Sequence, residues 1–231
     1  MTDTALEQHY AQLWHGALHA WHHGTVALDP LLTQKQNDQR RGFTLILRPT
    51  PAMAHQFARF LAAVAAVEPS QYYYRPSEFH ITVLSLFTAT AAYQPYVAHQ
   101  AAYLRAIDQA LAGTHRFALH FRGITASPGA IMVQGFPCDD TLDGIRQRVR
   151  QELRRAGVGS GLDQRYPITT AHATVVRFQQ PFRHLHALLH CLQRYRAHDF
   201  GAMAVDAIQF VANDWYMSAE KVCALRQYPL G

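Results

Sequence analysis

The chain has 231 residues, 49% of them apolar and 16% charged, enough to bury the core of one large domain or of two small lobes and too apolar for a disordered chain. No apolar run reaches the roughly 18–20 residues of a membrane-spanning helix, so no membrane partner is expected. The formal net charge of +5 is carried by arginine, since Lys35 and Lys221 are the only lysines; arginine suits bidentate phosphate contacts, but a GC-rich genome produces the same bias, so the charge permits an anionic substrate without requiring one.

Residues 5–23 have Leu6, Tyr10, Leu13, Trp14, Ala17, Leu18 and Trp21 at helical spacing, which predicts an amphipathic helix. RGFTLILRP, 41–49, reads as a strand, and Thr50-Pro51 starts a helix that continues through Met53, Phe57, Leu61 and Val64 to about Val67. The loop EPSQYYYRPS leads to a short apolar strand over 79–87. A helix is expected from Pro95 to Leu111, ended by Gly113, and then a half-buried strand with Phe117, Leu119 and Phe121 on one face. The chain turns at Ser127-Pro128-Gly129 into a strand over 130–136. A helix over 139–156 follows, with Leu142, Ile145, Val149 and Leu153 inward and Arg146, Arg150 and Arg154 on a solvated face. The Gly-rich loop GVGSGLDQRYPITT leads to a second apolar strand over 171–178, then a helix over 182–195 and a strand over 202–211. A last strand near 220–227 follows a turn around Asn213-Asp214. The order strand, helix, strand, helix, strand thus occurs twice, as a repeat of elements rather than of residue identity.

The two short apolar strands carry the same pattern, His80-Ile81-Thr82-Val83 and His172-Ala173-Thr174-Val175. On a strand, residues i and i+2 share a face about 6.6 Å apart, so each copy sets an imidazole beside a hydroxyl. A third copy, His23-Gly24-Thr25-Val26, follows a helix and runs into Asp29-Pro30, which stops a strand, and it is read as chance. Opening a cyclic phosphodiester needs one group to deprotonate water and another to protonate the leaving oxygen. Two imidazoles supply both near neutral pH, while hydroxyls donate to the non-bridging oxygens, and the scheme requires no metal. The competing reading, two hydrogen-bonded core histidines, is weakened by the matched settings of the two copies.

The paired motifs resemble those of the 2H phosphoesterase superfamily, which includes the bacterial 2′-5′ RNA ligase/cyclic phosphodiesterase proteins. His80 and Thr82 match the first motif of that family and His172 and Thr174 the second, which continues as Val175-Val176-Arg177, similar to the arginine that often follows it. The resemblance in element order covers about residues 41–228. It implies an α/β (α+β) fold of two pseudo-symmetric lobes, each an antiparallel sheet flanked by helices, with the active cleft between them. Residues 1–40 would then be an N-terminal helical extension and 41–231 the bilobal domain. The resemblance also implies metal-independent hydrolysis of a 2′,3′-cyclic phosphate or related 2′-5′ linkage on a nucleotide or RNA end, with no cofactor. His172 is expected to activate water and His80 to protonate the leaving oxygen. An RNA-end 2′-5′ ligase in the same cleft and an inactive RNA- or nucleotide-binding module are the alternatives.

Arg177, Tyr166 and Tyr74 are the expected substrate-binding residues; Tyr72, Tyr73, Trp215 and Tyr216 have similar claims to base stacking, although packing is the commoner fate of an aromatic ring. His15, His19 and His22 or His23 share one helix face at spacing compatible with a metal, as do His186 and His190, but no Asp, Glu or Cys joins them and no metal is expected. GVGSG lacks the Lys-Ser/Thr of a phosphate loop. Cys138, Cys191 and Cys223 are odd in number and widely spaced, so reduced thiols are expected. MTDTALEQHY has no basic region before an apolar stretch, so no secretory leader is expected; a cytoplasmic monomer is the simplest account.

Overall fold

The computed structural model describes residues 2–231. Helix α1 spans Asp3–His22; the Thr2 hydroxyl caps it by accepting from the Ala5 N–H, and Leu6, Tyr10, Trp14, Ala17 and Trp21 form its buried stripe. Strand β1 (Arg41–Leu47) leads to α2 (Pro51–Ala65), capped by Thr50 with proline at its first position. The short strand β2 (Tyr72–Tyr73) lies where a loop was expected, and β3 (Ile81–Thr90) carries the first motif. The helix expected over 95–111 is interrupted at Ala98-His99, giving α3 (Gln94–Val97) and α4 (Gln100–Leu111). A hairpin joins β4 (Phe117–Ser127) to β5 (Ala130–Pro137), and α5 (Thr141–Arg155) follows. Beyond it are β6 (Ala173–Arg177), α6 (Leu185–Tyr195), β7 (Asp199–Val205), β8 (Ala207–Asn213) and β9 (Cys223–Pro229).

The strands form two antiparallel sheets, one in the order β3-β1-β8-β9 and one in the order β2-β6-β5-β4-β7. The single strand expected over 202–211 is therefore two strands in different sheets, parted at the exposed Asp206. Its sequence gives no warning, because FGAMAVDAIQFV has neither proline nor a turn pair at the break.

The lobes are not the two halves of the sequence. Strand β4 ends the first half yet lies between β5 and β7, and β8 ends the second half yet lies between β1 and β9. The helices exchange in the same way: α2 leaves the four-stranded sheet and packs on β6, β7 and α6, while α5 leaves the five-stranded sheet and packs on α4 and β3. Phe57 of α2 shows what this does to the core. Its ring meets Phe79, beside the first motif, at 5.7 Å and Phe121 and Phe200 of the five-stranded sheet at 5.3 and 5.8 Å. Both lobes thus share one contiguous apolar core, and apolar burial at about 25 cal/mol per Å² holds them together.

Helix α1 lies on β4 and β5. Trp21 packs edge-on against Phe178 at 5.5 Å and Tyr10 against Phe136 at 5.5 Å. His15, His19 and His22 face outward. No helix among the described residues is long and apolar enough to cross a membrane.

Candidate active site

One cleft between the sheets is lined by His80, Thr82, His172, Thr174 and Arg177, together with Ser85, Thr88, Tyr166 and Trp215. Each motif histidine sits one residue before its strand begins, His80 ahead of β3 and His172 ahead of β6. Strict alternation after Thr82 would turn Leu84 and Leu86 into this cleft. The pairing register prevents it: β3 runs Thr82 opposite Ile46, Leu84 opposite Leu45, Ser85 opposite Thr44 and Phe87 opposite Phe43, so Val83 and Leu86 are extra residues in bulges. The leucines stay in the core, and hydroxyls line the cleft at three-residue spacing. Strand β6 does the same once. Val176 pairs with Ile131 and Thr174 with Met132, so Val175 is the extra residue and Arg177 comes round to the cleft. Counting from each histidine, Ser85 in the first motif stands where Arg177 stands in the second. The pseudo-symmetry holds in backbone and fails in charge at this position, with a hydroxyl on one strand and a guanidinium on the other.

The two imidazoles have different partners. His80 Nδ1 lies 2.9 Å from the backbone carbonyl of Glu78. A carbonyl can only accept, so Nδ1 carries the proton and Nε2 is left for the cleft. His172 Nδ1 lies 2.8 Å from the Thr170 hydroxyl, which can accept or donate. Burial pushes both imidazoles down from 6.5 to about 4. For His80, the Glu78 carbonyl and carboxylate oppose that fall, while Arg48 and Arg177 add to it. For His172, Arg146, Arg177, His9 and, once protonated, His80 add to it. Both rings are therefore neutral near pH 7 in the free protein, and they differ in that Glu78 opposes the fall at His80.

Arg177 receives its orientation from below. Its Nε donates to the Tyr74 hydroxyl at 2.9 Å. Tyr74 is only 3% exposed and does not line the cleft, so it reaches the site through Arg177 and not by its own contact. Tyr166 is on the cleft wall and 57% exposed. Trp215 also lines the cleft, with the guanidinium of Arg40 4.5 Å and that of Arg165 4.8 Å from its ring centre. Tyr216 beside it is buried and donates to Asp29 at 2.9 Å. Tyr72 and Tyr73 are tied into the fold, donating to Glu78 at 2.9 Å and to the Glu68 carbonyl at 2.7 Å.

The expected solvated face of α5 is corrected at two of its three arginines. Arg146 is 1% exposed, and Arg150 makes a two-pronged pair with Asp163 at 2.7 and 2.9 Å; only Arg154 faces solvent. The missed signal was spacing: Arg146 follows Leu142 by four residues and precedes Val149 by three, so it belongs to the buried stripe. Thr170 and Glu78 were also missed as partners of the histidines. Each precedes its histidine by two residues, a symmetry visible in the sequence once the motifs are aligned. Arg48, which donates to the carbonyls of Ser77 at 3.1 Å and Phe79 at 3.0 Å, had no such signal.

No protein-family model matches the chain, and no curated protein matches it in sequence. Solved structures do match in fold. TT0787 of Thermus thermophilus is 15% identical, with 82% of this chain and 97% of that chain covered and a TM-score of 0.55. Escherichia coli LigT in its apo form is 12% identical, with 83% and 98% covered and a TM-score of 0.56. LigT complexed with 3′-AMP matches at a TM-score of 0.52 and LigT complexed with ATP at 0.54. The chain has the two-lobed α+β fold of the 2H phosphoesterases, the family that its paired His-x-Thr motifs resemble.

Proposed function

We propose that this protein is a metal-independent phosphodiesterase that opens a 2′,3′-cyclic phosphate, or a related 2′-5′ linkage, on a nucleotide or RNA end. The observation that carries this reading is the meeting of both His-x-Thr pairs and Arg177 in one cleft. Arg177 and the hydroxyls of Thr82 and Thr174 bind the non-bridging oxygens, where charge grows in the transition state. His172 takes the proton of the attacking water on its Nε2, while its Nδ1 donates to Thr170. His80 gives a proton from Nε2 to the leaving ribose oxygen, and the Glu78 carbonyl steadies the imidazolium through Nδ1–H. The phosphate supplies the negative charge that raises His80 from its low free-protein value, so substrate and proton bind together. The binding of 3′-AMP and ATP by LigT supports a nucleotide ligand for this fold.

The test is hydrolysis of the four nucleoside 2′,3′-cyclic monophosphates in EDTA. His80→Ala and His172→Ala should each lower kcat by about 10²–10⁴-fold, the scale of a general acid or base. Activity that survives both substitutions would move the chemistry elsewhere; activity lost to EDTA would make it metal-dependent.

A further inference from the structure

We propose that Arg146 is a positioning residue that fixes the two His-x-Thr motifs relative to one another by holding the backbone of both. It stands on α5, outside the cleft, and is 1% exposed. A guanidinium has five N–H donors, and each one has an acceptor here. Nε donates to the Val83 carbonyl at 2.9 Å. One terminal nitrogen donates to the carbonyls of Thr82 at 3.3 Å and Thr170 at 2.6 Å. The other donates to the Thr169 carbonyl at 3.0 Å and to Asp143 Oδ1 at 3.4 Å. Two of these carbonyls belong to the first motif strand, in the four-stranded sheet. The other two belong to the segment that delivers His172 to the five-stranded sheet.

A stability role alone does not account for this placement. Burying a cation is costly, and an apolar side chain of the same volume commonly stabilises a core as well or better. What an apolar side chain does not do is span four carbonyls at fixed angles. The planar fork of a guanidinium does, and lysine, with three donors on a flexible stem, does not. One of the four, the Thr170 carbonyl, belongs to the residue whose hydroxyl holds His172 Nδ1. Arg146 is thus tied to the Thr82 backbone on one side and is one residue from the orientation of His172 on the other.

Its charge acts on the same histidine. Burial pulls the guanidinium from 12.5 to about 10, so it stays charged at neutral pH. It is one of the groups that hold His172 low, with Arg177 from β6, His9 from α1 and, once protonated, His80 from the opposite motif. Tyr10, also on α1, accepts from the Ala171 N–H at 3.3 Å and donates to the Gly135 carbonyl at 3.1 Å, and burial raises it to about 12, so it brings no charge to this side.

The inference rests on the proposed function for its kinetic arm only. Arg146→Lys keeps the charge and gives up the fork; Arg146→Met gives up both. In Arg146→Lys, kcat should fall by about 10²-fold, the scale of a misplacement near 1 Å, with KM changed less than about threefold. NMR titration of the imidazoles, which needs no substrate, should show His172 near its wild-type pKa in Arg146→Lys and raised in Arg146→Met, by more than His80 is. If Arg146→Met does not fold, the Lys variant carries the test, with its folded fraction measured by circular dichroism. Wild-type kcat in a folded Arg146→Lys, or a kcat that falls only as the folded fraction falls, would overturn the proposal. Should the wild type turn over no cyclic nucleotide, the function reading fails, and the His172 titration still decides whether Arg146 governs that residue.

Discussion

Tyr74 and Arg177 show how a residue outside the cleft controls one inside it. The Tyr74 hydroxyl accepts from Arg177 Nε, leaving the terminal nitrogens of the guanidinium for an anion. Removing only that oxygen, in Tyr74→Phe, leaves a buried charged donor unpaired, and hydrogen bonds to charged groups are worth about 1.5–3 kcal/mol. The expected result is a KM for cyclic phosphate raised by about 10-fold or more, with kcat reduced less. Steady-state kinetics on the purified variant would check it; an unchanged KM would mean that Arg177 holds its place without Tyr74. The sequence made Tyr74 a stacking candidate because it precedes the first motif. Whether a tyrosine faces a cleft or supports an arginine depends on the strand β2 beside it, which two residues of sequence do not announce.

Among the elements, the second motif depends on a close approach that only glycine permits. A Cβ on Gly135 of β5 would collide with the Ala171 carbonyl, one residue before His172, and would crowd the Phe121 ring. Gly135→Ala should therefore push that segment away from β5. Overpacking of this kind costs about 1–3 kcal/mol, and kcat should fall beyond what the lost stability explains, because His172 moves with the segment. Urea melts and kcat measured on the same preparation would separate the two effects. The Gly-rich loop before β6 has a similar explanation. Gly161 lets the loop lie against Leu86 and Phe87 of β3, in the opposite lobe. Elements whose apolar spacing decided their conformation, such as α1, α2, β4 and α5, were legible in the sequence. The split between β7 and β8 was not, since a strand that changes sheets keeps its local preference throughout.

At the scale of the whole molecule, the two half-buried motif histidines link stability to pH. Both fold with their pKa near 4, against about 6.5 when unfolded. Between those values the unfolded chain binds protons that the folded chain does not, so stability should fall as pH drops from about 6.5 to 4 and stay level with respect to these groups above 6.5. Carboxylates held low in the fold act further down, below about pH 4. Asp163 is one, because Arg150 pairs with it; Glu78 is another, because the Arg75 backbone and guanidinium and the Tyr72 hydroxyl outweigh its burial. Urea denaturation at pH 7 and pH 5 should show the loss, and His80→Asn with His172→Asn should reduce the difference. Equal slopes in wild type and the double variant would assign the pH dependence to other groups.

The sequence by itself determined the helices and strands with clear apolar spacing, the doubled order of elements and the two motifs. These depend on neighbours within a few residues, where spacing and steric preference dominate. Only the tertiary structure decided that strands and helices exchange between the lobes, that bulges keep Ser85 and Arg177 on the cleft while Leu84 and Leu86 stay in the core, and that Arg146 meets the backbone of both motifs. Those outcomes depend on pairing register and on acceptors far along the chain. The Arg146 guanidinium finds its partners at Thr82 and Val83 on one side and Thr169 and Thr170 on the other, and no local window of sequence contains both.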